Sequence, residues 1–158
     1  MNLQQKLQWL AYAAERRPEF LAQFIAFCQR CGKGLTDNPQ FPGITFSADD
    51  CGDVAHLSIF GQGYVIRVHL LSVSVPSTSD HMLSGVIAVA VPHTHAEEEL
   101  VWLVFIDQHG NVRRTPTEVS SLYNVNNTEF ISVFLTEISD LHFARLNAKF
   151  IGSPSASR

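Results

Sequence analysis

Charge is scarce in this sequence. Asp, Glu, Lys and Arg make up 16% of its 158 residues, against about 25% in an ordinary soluble domain. The net charge is -4, and the Lys and Arg residues occur singly or in pairs, so no basic stripe exists for a nucleic acid to follow. We therefore expect no nucleic-acid partner. A surface this poor in charge favours a homodimer or a protein partner that covers apolar area.

Long apolar runs and cysteines are scarce as well. No stretch approaches the length of about 18 apolar residues that a membrane-spanning helix needs. The apolar stretch at residues 7–14 contains Gln8 and is followed by Glu15 and Arg16, which is not the pattern of a signal peptide. The three cysteines cannot all pair with one another. We expect a soluble protein of the bacterial cytoplasm with no membrane partner.

Hydrophobic residues are plentiful, at 46% of the chain, and their spacing predicts the fold. Leu3, Leu7 and Leu10 line one side of a first N-terminal helix. Pro18 predicts the start of a second N-terminal helix, because proline is favoured in a first turn. From residue 44 onward the apolar residues alternate, which predicts a central antiparallel meander of about four or five strands.

The last part of the chain is ambiguous between strand and helix. Residues 130–138 fit a strand by alternation, and they fit a helix by a spacing that continues to Leu146. We predict a C-terminal helix that packs on the sheet, preceded by a short helix that begins near Thr115. The whole is predicted to be a single α+β domain over residues 1–150, followed by a disordered tail over residues 151–158.

Two of the predicted strands are apolar on both faces. Residues 83–91 and residues 100–106 contain apolar side chains at nearly every position, a pattern typical of strands that lie between two layers. The predicted helices would cover one face of these strands. The second face then requires curvature of the sheet, a second protomer or a partner protein.

The segment that joins these strands carries a metal-binding pattern. One residue separates His93 from His95, so in an extended segment both imidazoles point to the same side, and Glu99 begins the next strand. Two histidines and one carboxylate are a ligand set for Fe(II), Mn(II) or Zn(II) with open coordination positions. The sequence therefore allows a site for a divalent transition metal, with a solvated polar loop as the alternative.

The His-x-His-x3-Glu spacing, together with the apolar strand after it, resembles the first metal-binding motif of the cupin family. That resemblance implies a small β-barrel in which His93, His95, Glu99 and a later histidine bind a metal. It ends with the strand that follows the motif. No Pro-x-Gly-x2-His motif comes afterwards, and the later histidines are His109 and His142.

A second metal-binding pattern lies near the N-terminus. Cys28, Cys31 and Gly32 have the spacing of a zinc knuckle, and Cys51 and His56 follow downstream. Three cysteines and one histidine would make a closed structural zinc site. The alternative is a set of reduced thiols, because Cys28 falls on the apolar side of a predicted helix, where cysteine behaves as a small hydrophobic residue.

The motifs do not include a familiar catalytic one: the chain contains neither a phosphate-binding glycine loop nor a Gly-x-Ser-x-Gly sequence. We favour a non-catalytic binding protein of the immunity, antitoxin or accessory type, acting through a protein surface and without a cofactor. One alternative is a metal-binding protein or metal-dependent enzyme that uses His93, His95 and Glu99. The other is a domain that binds a small molecule in an apolar pocket between sheet and helices.

Overall fold

The computed structural model describes residues 2–37, 40–49, 52–78, 80–121 and 123–152. A long helix is followed by seven strands and a second helix, which agrees with the predicted α+β class. In chain order the elements are α1 (Leu3–Asp37), β1 (Ile44–Ala48), β2 (Val54–Ile59), β3 (Gln62–Ser74), β4 (His81–Val91), β5 (Glu99–Ile106), β6 (Asn111–Arg113), β7 (Tyr123–Asn124) and α2 (Thr128–Phe150). The predicted tail from residue 153 onward lies outside the described residues.

The N-terminal part of the chain is one helix, α1, so the prediction of two helices was wrong. Pro18 lies inside α1 and lacks the amide that would bind the carbonyl of Ala14, at a cost of roughly 3 kcal/mol. Both residues are exposed, so water can bind that carbonyl. Beyond the proline, Phe20 and Phe24 are buried and stabilise the continuous helix by about 1.5–3 kcal/mol each. Burial outweighs the lost hydrogen bond.

The strands form one antiparallel sheet whose spatial order follows the sequence from β1 to β7. The meander is confirmed, but the described residues contain seven strands and not four or five. The difference arises at the edges of the sheet. β7 has two residues, which is too short for alternation to identify. β1 is a five-residue strand with no buried residue. The predicted short helix after Thr115 was also wrong, because those residues form turns and bends.

Both helices pack on the same face of the sheet. The register places Ile66, Val89 and Trp102 in one row across β3, β4 and β5, and all three side chains are buried. Phe134 of α2 packs edge-on against Trp102, with ring centroids 4.9 Å apart. Phe27 of α1 packs edge-on against Phe134 at 5.1 Å. These rings join the two helices and the sheet in one core.

Gly85 lets α1 come close to β4. A Cβ atom at this position would lie 2.7 Å from Cδ1 of Phe20 and 2.7 Å from Cγ1 of Ile106, which is closer than van der Waals contact permits. The helix can therefore lie directly on the sheet at this point, with Phe20 buried between them.

The second helix begins with a side-chain cap. The Asn127 side chain accepts a hydrogen bond from the amide of Glu129, which satisfies one of the free donors at the start of a helix. Phe130, Phe134 and Ile138 are buried at helical spacing. The predicted helix over residues 130–138 is confirmed.

We expect Phe134→Ala to lower the free energy of unfolding by about 3–5 kcal/mol, because it leaves a cavity between Phe27 and Trp102. Urea unfolding followed by circular dichroism measures the change. Phe143→Ala on the same helix is the matched control, because the Phe143 side chain is 48% exposed and its loss should cost less than about 1 kcal/mol. Equal losses in the two variants would contradict the central place of Phe134 in the core.

Candidate functional site

A β-bulge decides which way the glutamates at the start of β5 point. The pairing of β4 with β5 shifts at Ala90, which pairs with Leu100 although the residue before it pairs with Trp102. The extra residue reverses the alternation of β5 ahead of Trp102. Glu99 consequently points to the face that carries the helices, and Glu98 points to the opposite face, where each finds a different arginine.

Glu99 forms an ion pair with Arg145 of α2. Both carboxylate oxygens of Glu99 accept hydrogen bonds from the guanidinium, with Nη2 of Arg145 3.0 Å from Oε2 of Glu99. His93 Nε2 lies 3.6 Å from the same Oε2. The hydrogen bond from Arg145 is the main reason that the pKa of Glu99 lies below its ordinary value. The loop between β4 and β5 is thereby tied to the C-terminal helix.

Tyr64 and His142 form a buried hydrogen bond next to this ion pair. The Tyr64 hydroxyl lies 2.7 Å from Nδ1 of His142, and His142 is 2% exposed. Its second ring nitrogen, Nε2, has no hydrogen-bond partner among the described residues. Burial, and then the nearby charge of Arg145, lower the pKa of His142. Burial raises the pKa of Tyr64, so burial favours the neutral form of both groups.

The predicted metal-binding string is only partly assembled. His93 lies beside Glu99, but residues 94–96 bend, so the alternation that would place His95 on the same side does not apply. Within the ranges that the structure describes, no group of three or more His, Cys, Asp or Glu side chains is arranged to hold a metal. Glu99 is bound to Arg145 instead. Metal binding by this string stays a prediction.

The cysteines of the second pattern lie in the core. Cys28 and Cys31 are buried free thiols, and burial raises the pKa of Cys28 to about 12 and also raises that of Cys31. A thiol this hard to ionise is a poor metal ligand and a poor nucleophile. His56 is exposed, with its Nε2 3.3 Å from Oδ1 of Asp49. Cys51 lies outside the described residues, and the zinc site stays a prediction.

A cavity of about 380 Å³ lies between α1 and β1. Ile25, Cys28 and Phe46 contribute to its largely apolar lining. Pockets for small molecules typically measure about 300–1,000 Å³, so this cavity is at the small end of that range. It is one place where a ligand of the kind considered from the sequence would fit between helix and sheet.

The face of the sheet opposite the helices is mostly apolar, and we call it the open face. Successive side chains of a strand point to opposite faces of the sheet. Residues that alternate with the buried row of Ile66, Val89 and Trp102 therefore lie on the open face. They include Arg67, His69, Leu71, Val73, Met82, Ser84, Val86, Ala88, Leu103 and Phe105. Seven of these ten are apolar, so this side of the sheet differs from an ordinary solvated face.

The open face is partly accessible to solvent. Leu71 is 42% exposed, and Leu103 and Phe105 are half-buried. Val86 is buried, yet it lies outside the continuous core cluster that the helices cover. At one end of the face, Arg67 donates hydrogen bonds to Glu98. The contacts of both helices described above are with the other face.

The partners of Glu99 were missed by reasoning from the sequence. Arg145 lies far from Glu99 along the chain, as His142 lies far from Tyr64, and both pairs meet because α2 packs on the sheet. One signal was available: His142 and Arg145 are three residues apart in the predicted helix, which places them on the same side of it. The bulge that turns Glu99 towards them left no signal in the apolar pattern.

Comparison of the chain with protein-family models, curated proteins and solved structures finds no match. In the part of the chain that the structure describes, neither helix combines the length and apolar character needed to cross a membrane. The function is therefore inferred from the side chains and surfaces of this protein alone.

The neutral, buried state of His142 makes stability depend on pH. In the unfolded chain its pKa returns to about 6.5, so the unfolded state binds protons more readily than the folded state. The contribution of His142 to stability is complete above that value and is lost as the pH falls through it towards the lower pKa of the folded state.

We therefore expect His142→Gln to reduce the loss of unfolding free energy between pH 7.5 and pH 5.5, measured by urea titration at several pH values. Glutamine retains a polar group for Tyr64 but does not titrate. Thr136→Ala, at an exposed position of the same helix, should keep the original pH dependence. The same dependence in His142→Gln as in the unaltered protein would overturn this account.

Proposed function

We propose that this chain is a non-catalytic binding protein that holds a partner protein on its open face. One observation carries the proposal: the helices pack on one face of the sheet, and the opposite face is apolar and partly exposed in the described residues. A sheet with two apolar faces is ordinarily covered by a layer on each. The partner would supply the second layer.

The chemistry of the open face indicates what the partner presents. Leu71 on β3 and Leu103 and Phe105 on β5 offer apolar area on either side of β4, and such a surface suits the apolar side of a helix. The charged pair of Arg67 and Glu98 stands at one end of this area. An exposed ion pair adds little affinity but fixes orientation. We propose a partner that presents an amphipathic helix, as a target of an immunity, antitoxin or accessory protein would.

A photo-crosslinking amino acid in place of Phe105 should join the chain to one such partner in its native cell, because this side chain lies on the open face. Mass spectrometry identifies the partner, which is then purified. With the purified pair, Leu103→Lys should raise the dissociation constant at least about tenfold, because it places a charge in an apolar contact. Isothermal titration calorimetry measures the constant.

Thr136, exposed on α2, is the matched control for both steps. A crosslinker at this position should not capture the same protein, and Thr136→Lys should leave the dissociation constant unchanged. Equal capture from both positions, or unchanged affinity in Leu103→Lys, contradicts the proposal. Circular dichroism establishes that each variant is folded.

A second candidate is metal binding by His93, His95 and Glu99, which the 3.6 Å distance between His93 Nε2 and Glu99 Oε2 favours. The metal would compete with Arg145 for Glu99. For this function, Arg145→Ala should tighten Zn(II) binding to protein purified without chelator, and the double variant His93→Ala/His95→Ala should abolish it. Calorimetric titration measures both. Zn(II) bound equally well by the double variant excludes the site, and Zn(II) lost on Cys28→Ser indicates the cysteines.

A further inference from the structure

The N-terminal half of α1 extends beyond the core. We call residues 3–17 the arm. The buried residues of α1 begin at Phe20, and most residues of the arm are exposed. Leu3, Leu7 and Leu10 are 73%, 57% and 63% exposed. Three exposed leucines on one short helical segment are unusual for a surface that meets only water.

The arm has two apolar sides, and the sheet covers only one of them. Trp9 and Ala13 are half-buried and lie on the same side of the helix as Phe20, at intervals of four and seven residues. The Trp9 ring lies 6.2 Å from the ring of His81 at the start of β4. Leu7 and Leu10 lie roughly a third of a turn away from this side. The leucines therefore point past the sheet.

The exposed side has the spacing of a coiled-coil seam. Leu3, Leu7, Leu10 and Ala14 are separated by four, three and four residues, which is the alternation of positions that pair two helices. The seam position three residues after Ala14 is Arg17, and the same spacing then resumes with Leu21, Phe24, Cys28 and Cys31, most of which are buried against the rest of the protein. The seam residues in the second half of α1 are mostly packed, whereas those in the arm have the same spacing and are exposed.

The arm has few charged residues beside its seam that could distinguish a different protein from a second copy of this chain. Lys6 is the one charged residue from residue 2 to residue 14, and Glu15, Arg16 and Arg17 follow at the base of the arm, beyond the last seam residue, Ala14. The free side of a helix in water ordinarily carries several charges along its length. Charges beside a coiled-coil seam are what specify pairing between different chains. Few charges oppose the approach of two copies of this arm, and a two-fold axis would bring the same apolar residues of the two seams together.

We propose that the arm is a self-association element and that a second copy of this chain covers Leu3, Leu7, Leu10 and Ala14 through its own arm. The helix is already held by its buried half, so pairing does not require the unfavourable step of starting a helix. The contact is smaller than the roughly 20–30 residues a side of a standard stable interface. We expect a dimer that dissociates on dilution in the micromolar range.

Sedimentation velocity of the full chain from about 1 to about 300 µM, a range chosen to bracket micromolar dissociation, tests the proposal. The unaltered protein should move from the monomer mass towards twice that mass. Leu7→Glu with Leu10→Glu should stay monomeric over the whole range. The matched control, Gln5→Glu with Gln8→Glu, adds the same charge at exposed positions on the side of the helix away from the seam and should dimerise as the unaltered protein does.

A protein that stays monomeric at the highest concentration overturns the proposal, as does equal dimerisation of the leucine and glutamine variants. Circular dichroism of both double variants shows whether α1 has remained helical. The arm is separate from the open face, so the dimer can be absent while Phe105 still captures a partner protein, and the two proposals fail independently.

Discussion

Phe134 of α2 packs against both Phe27 of α1 and Trp102 of β5, with ring centroids 5.1 Å and 4.9 Å apart. These side chains come from the first helix, the last helix and a central strand. Removing these large aromatic rings from water stabilises the fold. Because the rings come from both helices and pack over one side of β5, both helices lie on the same face of the meander. The opposite face and the arm are left without a layer. Both proposed interaction surfaces depend on this one-sided packing.

The same packing places α2 next to the loop between β4 and β5. Arg145 reaches Glu99 only because the bulge turns that glutamate towards the helices, and His142 is buried against Tyr64 at the same point. The exposed ion pair contributes little stability by itself. The buried histidine matters more, because protonating it requires the protein to solvate a charge in a closed site. The packing of α2 is thereby linked to pH.

The sequence predicted the α+β class, the meander and the C-terminal helix, because periodicity and capping act over neighbouring residues. It did not predict the single long helix, since the cost of Pro18 is offset by burial of residues that only the fold brings to the sheet. Of the candidate site, the sequence indicated His93 and Glu99 but not Arg145. A short motif shows which side chains could bind a metal. It does not show that a distant residue such as Arg145 forms an ion pair with one of them.

The low charge and the apolar composition, both properties of the sequence alone, determined that this chain has apolar surface to cover. The leucine spacing of the arm could also be read from the sequence, but not its exposure, because the buried half of α1 has the same pattern. Only the tertiary structure decided which apolar side chains remained uncovered. Hydrophobic burial is not directional, so its outcome depends on which faces the chain can bring together, and here the two helices reached the same one.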